Sequence, residues 1–288
     1  MKPISVIIPT SNRAHTLPRS LGSLLKQTLS RSQFDVIIVD DGSTDDTEAV
    51  LATYEGVLPL TIINQQHAGV SAARNAGIQA SDSEIIVFFD DDARAEPDWL
   101  ELILKIMQQE DIITGRVEPL CENIWPYFAP HYNQGNEPHV SSVLLEGNCA
   151  IKRRVFDEVG MFDATIDYGH EGESFLQKVG TKFVNRYYPT VIIYHDYAVS
   201  LKHYLRKQKK FGEQLWYVKD LKAKTLGEFF ECYKKAQRPG TGTNDAAKPR
   251  PTVFIQKLQI AVYARLGSLM HLWGAFGGWR KQLNATQS

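Results

Sequence analysis

Five consecutive apolar residues, Ile85–Phe89, lead without a break into three aspartates at positions 90–92. A strand with one exposed face would alternate apolar and polar residues, so this run predicts a strand buried on both faces of a parallel sheet. The carboxyl ends of such strands are where α/β sheets bind ligands. Because adjacent carboxylates repel one another, the aspartates favour a site for Mg²⁺ or Mn²⁺, with substrate phosphates as further ligands. An acidic turn at the surface is the alternative interpretation.

This run is one of several similar runs in the N-terminal part of the chain. Four short apolar runs are each followed by a polar loop and an amphipathic helix, and they begin at Ile4, Phe34, Leu60 and Ile85. The alternation predicts an α/β fold with a doubly wound, mostly parallel sheet and helices on both faces. The glycine-rich phosphate loops G-x-G-x-x-G and G-x-x-x-x-G-K-[ST] are absent from the sequence. Any phosphate must therefore be bound by metal and basic side chains.

Composition narrows the class of protein. The 288 residues are 43% hydrophobic and 23% charged, with a formal net charge of -1, as in an ordinary globular protein. Without a basic excess there is no reason to expect nucleic acid as a partner. No signal peptide is recognised before the first strand, and the three scattered cysteines lack metal-ligand spacing and are expected to be free thiols. These features predict a cytoplasmic protein.

Residues 201–288 are predicted to form a helical extension to a domain of residues 1–200, with a linker at about 238–251. Apolar residues three or four apart predict one helix with a single apolar stripe, made of Ile255, Leu258, Val262, Leu266, Leu269, Trp273 and Phe276. Lys257 and Arg265 interrupt this segment, so it is not a transmembrane span. Three roles are open for segment 253–279: docking on its own domain, which is slightly favoured, dimerisation, or peripheral contact with the inner face of the plasma membrane.

Four segments resemble, in order and spacing, the motifs of glycosyltransferase family 2. They are residues 6–13 (VIIPTSNR), 39–46 (VDDGSTDD), 69–77 (GVSAARNAG) and 88–92 (FFDDD). The resemblance covers about residues 3–200 and implies an inverting enzyme of the hexosyltransferase type with the GT-A fold. It implies a nucleotide-sugar half at about 1–115 and an acceptor half at about 116–200. The donor would be a nucleotide sugar, with a UDP-sugar favoured, and the acceptor a glycan or lipid-linked molecule in cell-surface polysaccharide or glycoconjugate synthesis.

The resemblance also implies which residues bind the donor and the metal ion. The nucleotide-sugar site would comprise Pro9, Thr10, Arg13, Asp40, Asp41, Arg74, Asp90, Asp91, Gly147 and Asn148. Within this set, Arg74 would pair with the diphosphate, and Asp41 would accept a hydrogen bond from the nucleobase. The Mn²⁺ or Mg²⁺ ion would be bound by Asp92 together with Asp90 and His195.

The catalytic base is the point at which this sequence departs from the family pattern. In the family the base is the Asp of a Glu-Asp pair, and Glu171 matches the first position whereas Gly172 stands at the second. The resemblance therefore leaves Glu171 or Glu173 as the base, with Asp167 and His170 further off. A catalytically weak, nucleotide-sugar-binding partner subunit is the alternative function. A sugar nucleotidyltransferase is disfavoured because the loop after the first strand has no glycine.

Overall fold

The computed structural model describes residues 2–166, 169–218, 223–236 and 254–285. The predicted linker at 238–251 and Asp167 lie outside these residues. Nine strands belong to one sheet: β1 (Ile4–Thr10), β2 (Phe34–Asp41), β3 (Leu60–Gln65), β4 (Ile85–Phe89), β5 (Arg94–Ala95), β6 (Ile112–Glu118), β7 (His139–Val140), β8 (Asn148–Lys152) and β9 (Asn185–Tyr194).

Helices connect these strands and continue beyond them. They are α1 (Leu17–Leu24), α2 (Thr47–Ala52), α3 (Val70–Ala80), α4 (Trp99–Ile106), α5 (Arg153–Val159), α6 (Glu171–Val179), α7 (Leu201–Val218), α8 (Leu226–Ala236) and α9 (Phe254–Ala285). Two short 3₁₀ helices, Trp125–Phe128 and Pro130–Tyr132, lie in the aromatic loop between β6 and β7. None of the helices in the described ranges is long and apolar enough to cross a bilayer.

The sheet has the order β3-β2-β1-β4-β8-β6-β9-β5, and β7 pairs with β9 beside this row. The first four strands in this order are parallel, whereas β8 runs antiparallel between β4 and β6. This arrangement confirms the predicted α/β class with a mostly parallel sheet. Because β1 lies between β2 and β4, the chain crosses over in opposite directions on its two sides, which opens a crevice at the carboxyl ends of these strands.

Hydrophobic layers cover both faces of the sheet. Ile4, Val6 and Ile8 of β1 pack with α1 and α4 on one face, whereas Ile7 packs with α3, α5 and α6 on the other. Fully burying one such side chain contributes about 1.5–3 kcal/mol. The two buried faces explain why the central strands are continuous apolar runs rather than alternating ones.

The C-terminal helix α9 docks on α7, but through a different face from the predicted stripe. A Cβ atom at Gly274 would collide with the Lys209 carbonyl oxygen, and one at Gly278 with that of Glu213, so glycines allow the two backbones to meet. Val262, Leu266, Leu269 and Trp273 of the stripe are instead 37–63% exposed. The segment therefore docks against its own chain, as its favoured role predicts, although most of the stripe lies outside the docked face; the side chains of Ile255 and Leu258 are not described.

Three aromatic residues near the end of α9, Trp273, Phe276 and Trp279, are divided between core and surface. Trp279 is buried, with its ring centroid 5.3 Å from that of Phe229 of α8, and it donates a hydrogen bond from Nε1 to the Ala223 carbonyl oxygen at 2.7 Å. Phe276 packs at the edge of the same cluster. Trp273 remains 58% exposed, so it alone of the three aromatic residues faces solvent.

Candidate active site

A cleft of about 870 Å³ opens at the carboxyl ends of β1, β2 and β4. The loops after these strands bring together most of the predicted donor residues, which line the cleft as Pro9, Thr10, Arg13, Asp41, Asp90, Asp91 and Asp92. The parallel pairing of β1 with β4 places Thr10 beside the aspartates, and its hydroxyl donates to Asp91 Oδ2 at 2.8 Å. The crevice predicted from the strand ends thus exists and is lined by polar and charged side chains.

The three aspartates have different surroundings. Arg13 lies 3.7 Å from Asp91 Oδ1 and 3.4 Å from Asp92 Oδ2. Burial, followed by the adjacent Asp92 charge, raises the pKa of Asp91 despite Arg13 and Thr10. Burial would also raise the pKa of Asp92, but the neighbouring His195, together with Arg13, holds that pKa well below its usual range. Asp92 is therefore kept ionised more readily than Asp91.

Asp90, Asp92 and His195 form the candidate metal site. Their ligand atoms lie within 4.8 Å of one another, and His195 Nε2 is 3.0 Å from Asp92 Oδ1. Tyr132 contacts the other ring nitrogen of His195 at 3.3 Å, which orients the imidazole. Two carboxylates and one imidazole suit Mn²⁺, and Mg²⁺ through the carboxylates. The predicted metal ligands therefore converge, and their donor set fits the expected ion.

Arg74 projects from α3 into the same acidic wall. Its side chain is 6% exposed, with Nη1 at 3.5 Å from Glu171 Oε1 and Nη2 at 4.0 Å from Asp90 Oδ1. Nε and Nη1 are buried and have no hydrogen-bond partner. A buried guanidinium with unsatisfied N–H groups is costly unless an acceptor is added. Its position beside the cleft makes an anionic ligand the natural acceptor.

The carboxylate of Glu146 lies beside Gly172, the position at which the family pattern has an Asp. A Cβ atom added at Gly172 would lie 2.5 Å from Glu146 Oε1 and 2.7 Å from the Leu144 carbonyl oxygen. The Gly172 N–H, in the first turn of α6, donates a hydrogen bond to Glu146 Oε1. Burial, followed by the charge of Glu171, raises the pKa of Glu146 to about 7, although Arg74 opposes the rise. The family resemblance gave binding roles to its neighbours Gly147 and Asn148, and no chemical role to Glu146 itself.

The two glutamates predicted as bases line the same cleft with different neighbours. Glu171 is buried and paired with Arg74, as described above. Glu173 is more exposed, and its Oε2 lies 3.0 Å from Nδ1 of His170. His170 precedes α6 with φ of +76°, a left-handed conformation that is uncommon outside glycine and is frequent at functional sites.

The helical extension also contributes to the cleft. Lys207 of α7 is buried, and its Nζ donates to the Tyr197 carbonyl oxygen at 2.8 Å while lying 4.3 Å from the ring centroid of Tyr197. Burial lowers the pKa of Lys207 to about 8, although the charges of Asp92 and Asp90 oppose this decrease. In the sequence, Lys207 is one of several basic residues close together, and no motif connects it with the site. Only its place on one face of α7, beside His203 and Lys210, could have signalled this.

Two of the predicted donor residues are not brought to the cleft as free groups. Asp40 Oδ1 accepts the Ser43 N–H at 2.9 Å and lies outside the cleft lining. Asn148 is fully buried, where it accepts from Trp99 Nε1 at 2.8 Å and donates to two backbone carbonyls. Both side chains stabilise the loops that shape the site, because buried amide and carboxylate groups must be hydrogen-bonded.

Asp41 and Gly147 do reach the cleft. The Asp41 carboxylate accepts from Gln65 Nε2 and from the backbone N–H groups of Ala68 and Gly69 at 2.7–2.9 Å, so it also fixes the loop before α3. A Cβ atom at Gly147 would collide with the Asp90 carboxylate. Gly147 is therefore required for the Asp90 side chain to keep its position, and the nucleobase contact of Asp41 stays a prediction.

The chain belongs to glycosyl transferase family 2, whose family model matches residues 5–160. This confirms the resemblance drawn from the four motifs. Among known relatives, validoxylamine A glucosyltransferase of Streptomyces hygroscopicus subsp. jinggangensis is 39% identical over 103 residues, which are 35% of this chain and 24% of that protein. The chain thus spans about a quarter of the length of this relative.

Solved structures show the same fold. The mannosyltransferase PcManGT from Pyrobaculum calidifontis, in complex with GDP-Man and Mn²⁺, superposes with a TM-score of 0.63 at 17% identity, covering 96% of this chain and 86% of that one. Residues 1–349 of S. aureus TarS, in complex with UDP, give a TM-score of 0.59 at 16% identity, with 100% and 91% covered. The GT-A fold expected from the motifs is confirmed.

Proposed function

We propose that the protein is an inverting, metal-dependent hexosyltransferase that uses a nucleoside-diphosphate sugar, with a UDP-sugar favoured. The acceptor is a glycan or lipid-linked molecule in cell-surface polysaccharide or glycoconjugate synthesis. The observation that carries the proposal is the buried guanidinium of Arg74, a residue that lines the acidic cleft and has two nitrogens without a hydrogen-bond partner. Complexes of the two structural relatives, one with UDP and one with GDP-Man and Mn²⁺, support a nucleotide-sugar donor.

The donor diphosphate is assigned to the cations of the cleft. Arg74 supplies buried N–H donors and Lys207 a buried ammonium, from α3 and α7 respectively. Asp92, Asp90 and His195 would hold the Mn²⁺ or Mg²⁺ ion, which when bound offsets the charge that grows on the departing diphosphate. Pro9, Thr10 and Arg13 are the proposed nucleotide-side wall.

Glu146 is the proposed catalytic base. The acceptor hydroxyl oxygen bonds to the anomeric carbon on the side opposite the diphosphate, and the bond from that carbon to the diphosphate oxygen breaks with its electron pair. The hydroxyl proton passes to the Glu146 carboxylate. A pKa of about 7 suits a base that must be ionised and still accept a proton near neutrality. Arg74 of α3, Glu171 of α6 and Cys149 of β8 are the charged or titratable groups around it.

Glu171 and Glu173 have other proposed roles. Glu171 positions Arg74 through their ion pair, which occupies its carboxylate. Glu173 pairs with His170 and is the more exposed of the two, so it belongs to the acceptor side of the cleft. The alternative function, a catalytically weak partner subunit, was based on the absence of a carboxylate at Gly172. Glu146 supplies a carboxylate next to that position, so this argument for the alternative is weakened.

Turnover with a donor panel tests the proposal. UDP-glucose, UDP-N-acetylglucosamine and GDP-mannose are each incubated with Mn²⁺ and a panel of glycosides with apolar aglycones. We expect release of nucleoside diphosphate from one donor, and a product with the anomeric configuration opposite to that of the donor by NMR. Retention of configuration, or nucleotide binding without release across the panel, would contradict the proposal.

A further inference from the structure

The exposed stripe of α9 lies on the side of the helix away from its docked face. Val262, Leu266, Leu269 and Trp273 are spaced four, three and four residues apart, so they form one line along an α-helix. The glycines that contact α7 lie about a third of a turn around the helix from this line. A docked helix normally buries its apolar stripe. Here the small residues are used for docking, and the large apolar side chains are left at the surface.

Basic side chains of α7 border the stripe. A groove between α7 and α9 is lined by Leu201, Lys202, Leu205, Arg206, Lys209 and Met270. Lys209 Nζ lies 4.7 Å from the ring centroid of the exposed Trp273 and 3.5 Å from Glu213. Lys202 and Arg206 are exposed. Apolar and cationic groups thus form one continuous surface, which we call the stripe surface (Val262, Leu266, Leu269 and Trp273 with Lys202, Arg206 and Lys209).

Charge is strongly segregated toward this part of the molecule. The α7 and α9 sequences contain nine lysines and arginines, five in the first and four in the second, and Glu213 is their one acidic residue. The whole chain has a formal net charge of -1. The remainder of the chain is therefore clearly acidic, and the positive charge near the stripe is a local feature.

We propose that the stripe surface binds an anionic lipid bilayer from one side. The aliphatic side chains and Trp273 would enter the boundary between head groups and acyl chains, while Lys202, Arg206 and Lys209 contact lipid phosphates. A second copy of the chain fits the surface less well. A symmetric dimer places the same patch on both subunits, so it would bring the two basic rows against each other.

This docking surface adjoins the catalytic cleft through α7. On that helix, Lys202, Arg206 and Lys209 lie between the face that contacts α9 and the face that carries Lys207. A helix with its side chains is about 10 Å across. Docking would therefore hold the cleft about one helix diameter from the bilayer surface, within reach of an acceptor anchored in the same bilayer. Docking itself does not depend on the proposed chemistry.

Flotation of the full chain with vesicles tests the inference. Vesicles of phosphatidylcholine with and without phosphatidylglycerol are compared for the unaltered protein, for Leu269→Glu with Trp273→Ser, and for Lys202→Glu with Arg206→Glu. We expect binding to anionic vesicles only, at least about tenfold weaker binding in either double variant, and loss of binding in high salt, since the Debye length falls from about 10 Å at 0.1 M to about 3 Å at 1 M.

Val57→Asp is the matched control, because Val57 is 45% exposed in a loop on the β2–β3 side of the sheet. Unchanged circular dichroism and nucleoside diphosphate binding show that the variants are folded, and keep this test separate from the proposed chemistry. Equal flotation of all variants, or equal binding to neutral vesicles, would overturn the inference. A dimer in sedimentation velocity that Leu269→Glu with Trp273→Ser dissociates, without vesicle binding, would instead make the stripe surface a subunit interface.

Discussion

Replacing Glu146 with glutamine is expected to lower kcat by about 10²–10⁴-fold while leaving donor affinity nearly unchanged. The amide oxygen of glutamine can still accept the hydrogen bond from the Gly172 N–H, so the loop keeps its position. What is lost is the ability to take up the acceptor proton. In Glu146→Ala, added formate is expected to restore part of the rate, because a small carboxylate can enter the space left by the side chain.

The pH profile gives a second readout of the same change. A carboxylate base acts only when ionised, so kcat/KM of the unaltered enzyme should fall as the pH drops through about 7, the pKa of Glu146. Glu146→Gln should lose this limb. Glu173→Gln is the control, and its kcat/KM should fall by less than about tenfold. A large loss in Glu173→Gln with retained activity in Glu146→Gln would assign the base to Glu173 instead.

Replacing Asp92 with asparagine is expected to reduce sugar transfer by at least about a hundredfold, the loss of about 2.7 kcal/mol of transition-state stabilisation. The change keeps the size of the side chain but removes the charge that faces His195 and Arg13. Mn²⁺ should raise the melting temperature of the unaltered protein, since a ligand of the folded state stabilises it, and should not raise that of Asp92→Asn.

Asp82→Asn is the matched control for this variant, because Asp82 is an exposed carboxylate just before β4, at the opposite end of the strand from Asp92. Its activity and its response to Mn²⁺ should equal those of the unaltered protein. Undiminished transfer by Asp92→Asn at saturating Mn²⁺ would remove Asp92 from the metal site.

The parallel half of the fold was predictable because each of its strands has a local signature. Ile85–Phe89 is buried on both faces, as its uninterrupted apolar run predicts. The convergence of Thr10, Arg13 and the three aspartates follows equally, since carboxyl ends of parallel strands meet at one edge of a sheet. His195 was predicted from the family resemblance, and it lies near Asp90 and Asp92 because β9 ends beside the aspartates.

Contacts between residues distant in sequence could not be predicted from the sequence pattern. Glu146 provides a carboxylate beside Gly172, where the family has an Asp. The two residues are 26 positions apart, so only their spatial contact reveals this. Asn148 resembles a ligand residue in sequence, yet its hydrogen bonds to Trp99 and to two backbone carbonyls keep it in the core. In α9, apolar periodicity identified the stripe but not the docked face, because glycines allow a closer backbone approach than large side chains do.

Calorimetric binding of UDP, GDP, dTDP and CDP, with and without Mn²⁺, tests the central claim most directly. We expect that one nucleotide binds and that Mn²⁺ tightens its binding at least about tenfold, a difference of about 1.4 kcal/mol in binding free energy. We also expect that Arg74→Ala weakens this binding, because the buried guanidinium is the proposed diphosphate donor. Absence of binding by all four nucleotides, or equal binding with and without the metal, would contradict a metal-dependent nucleotide-sugar site in this cleft.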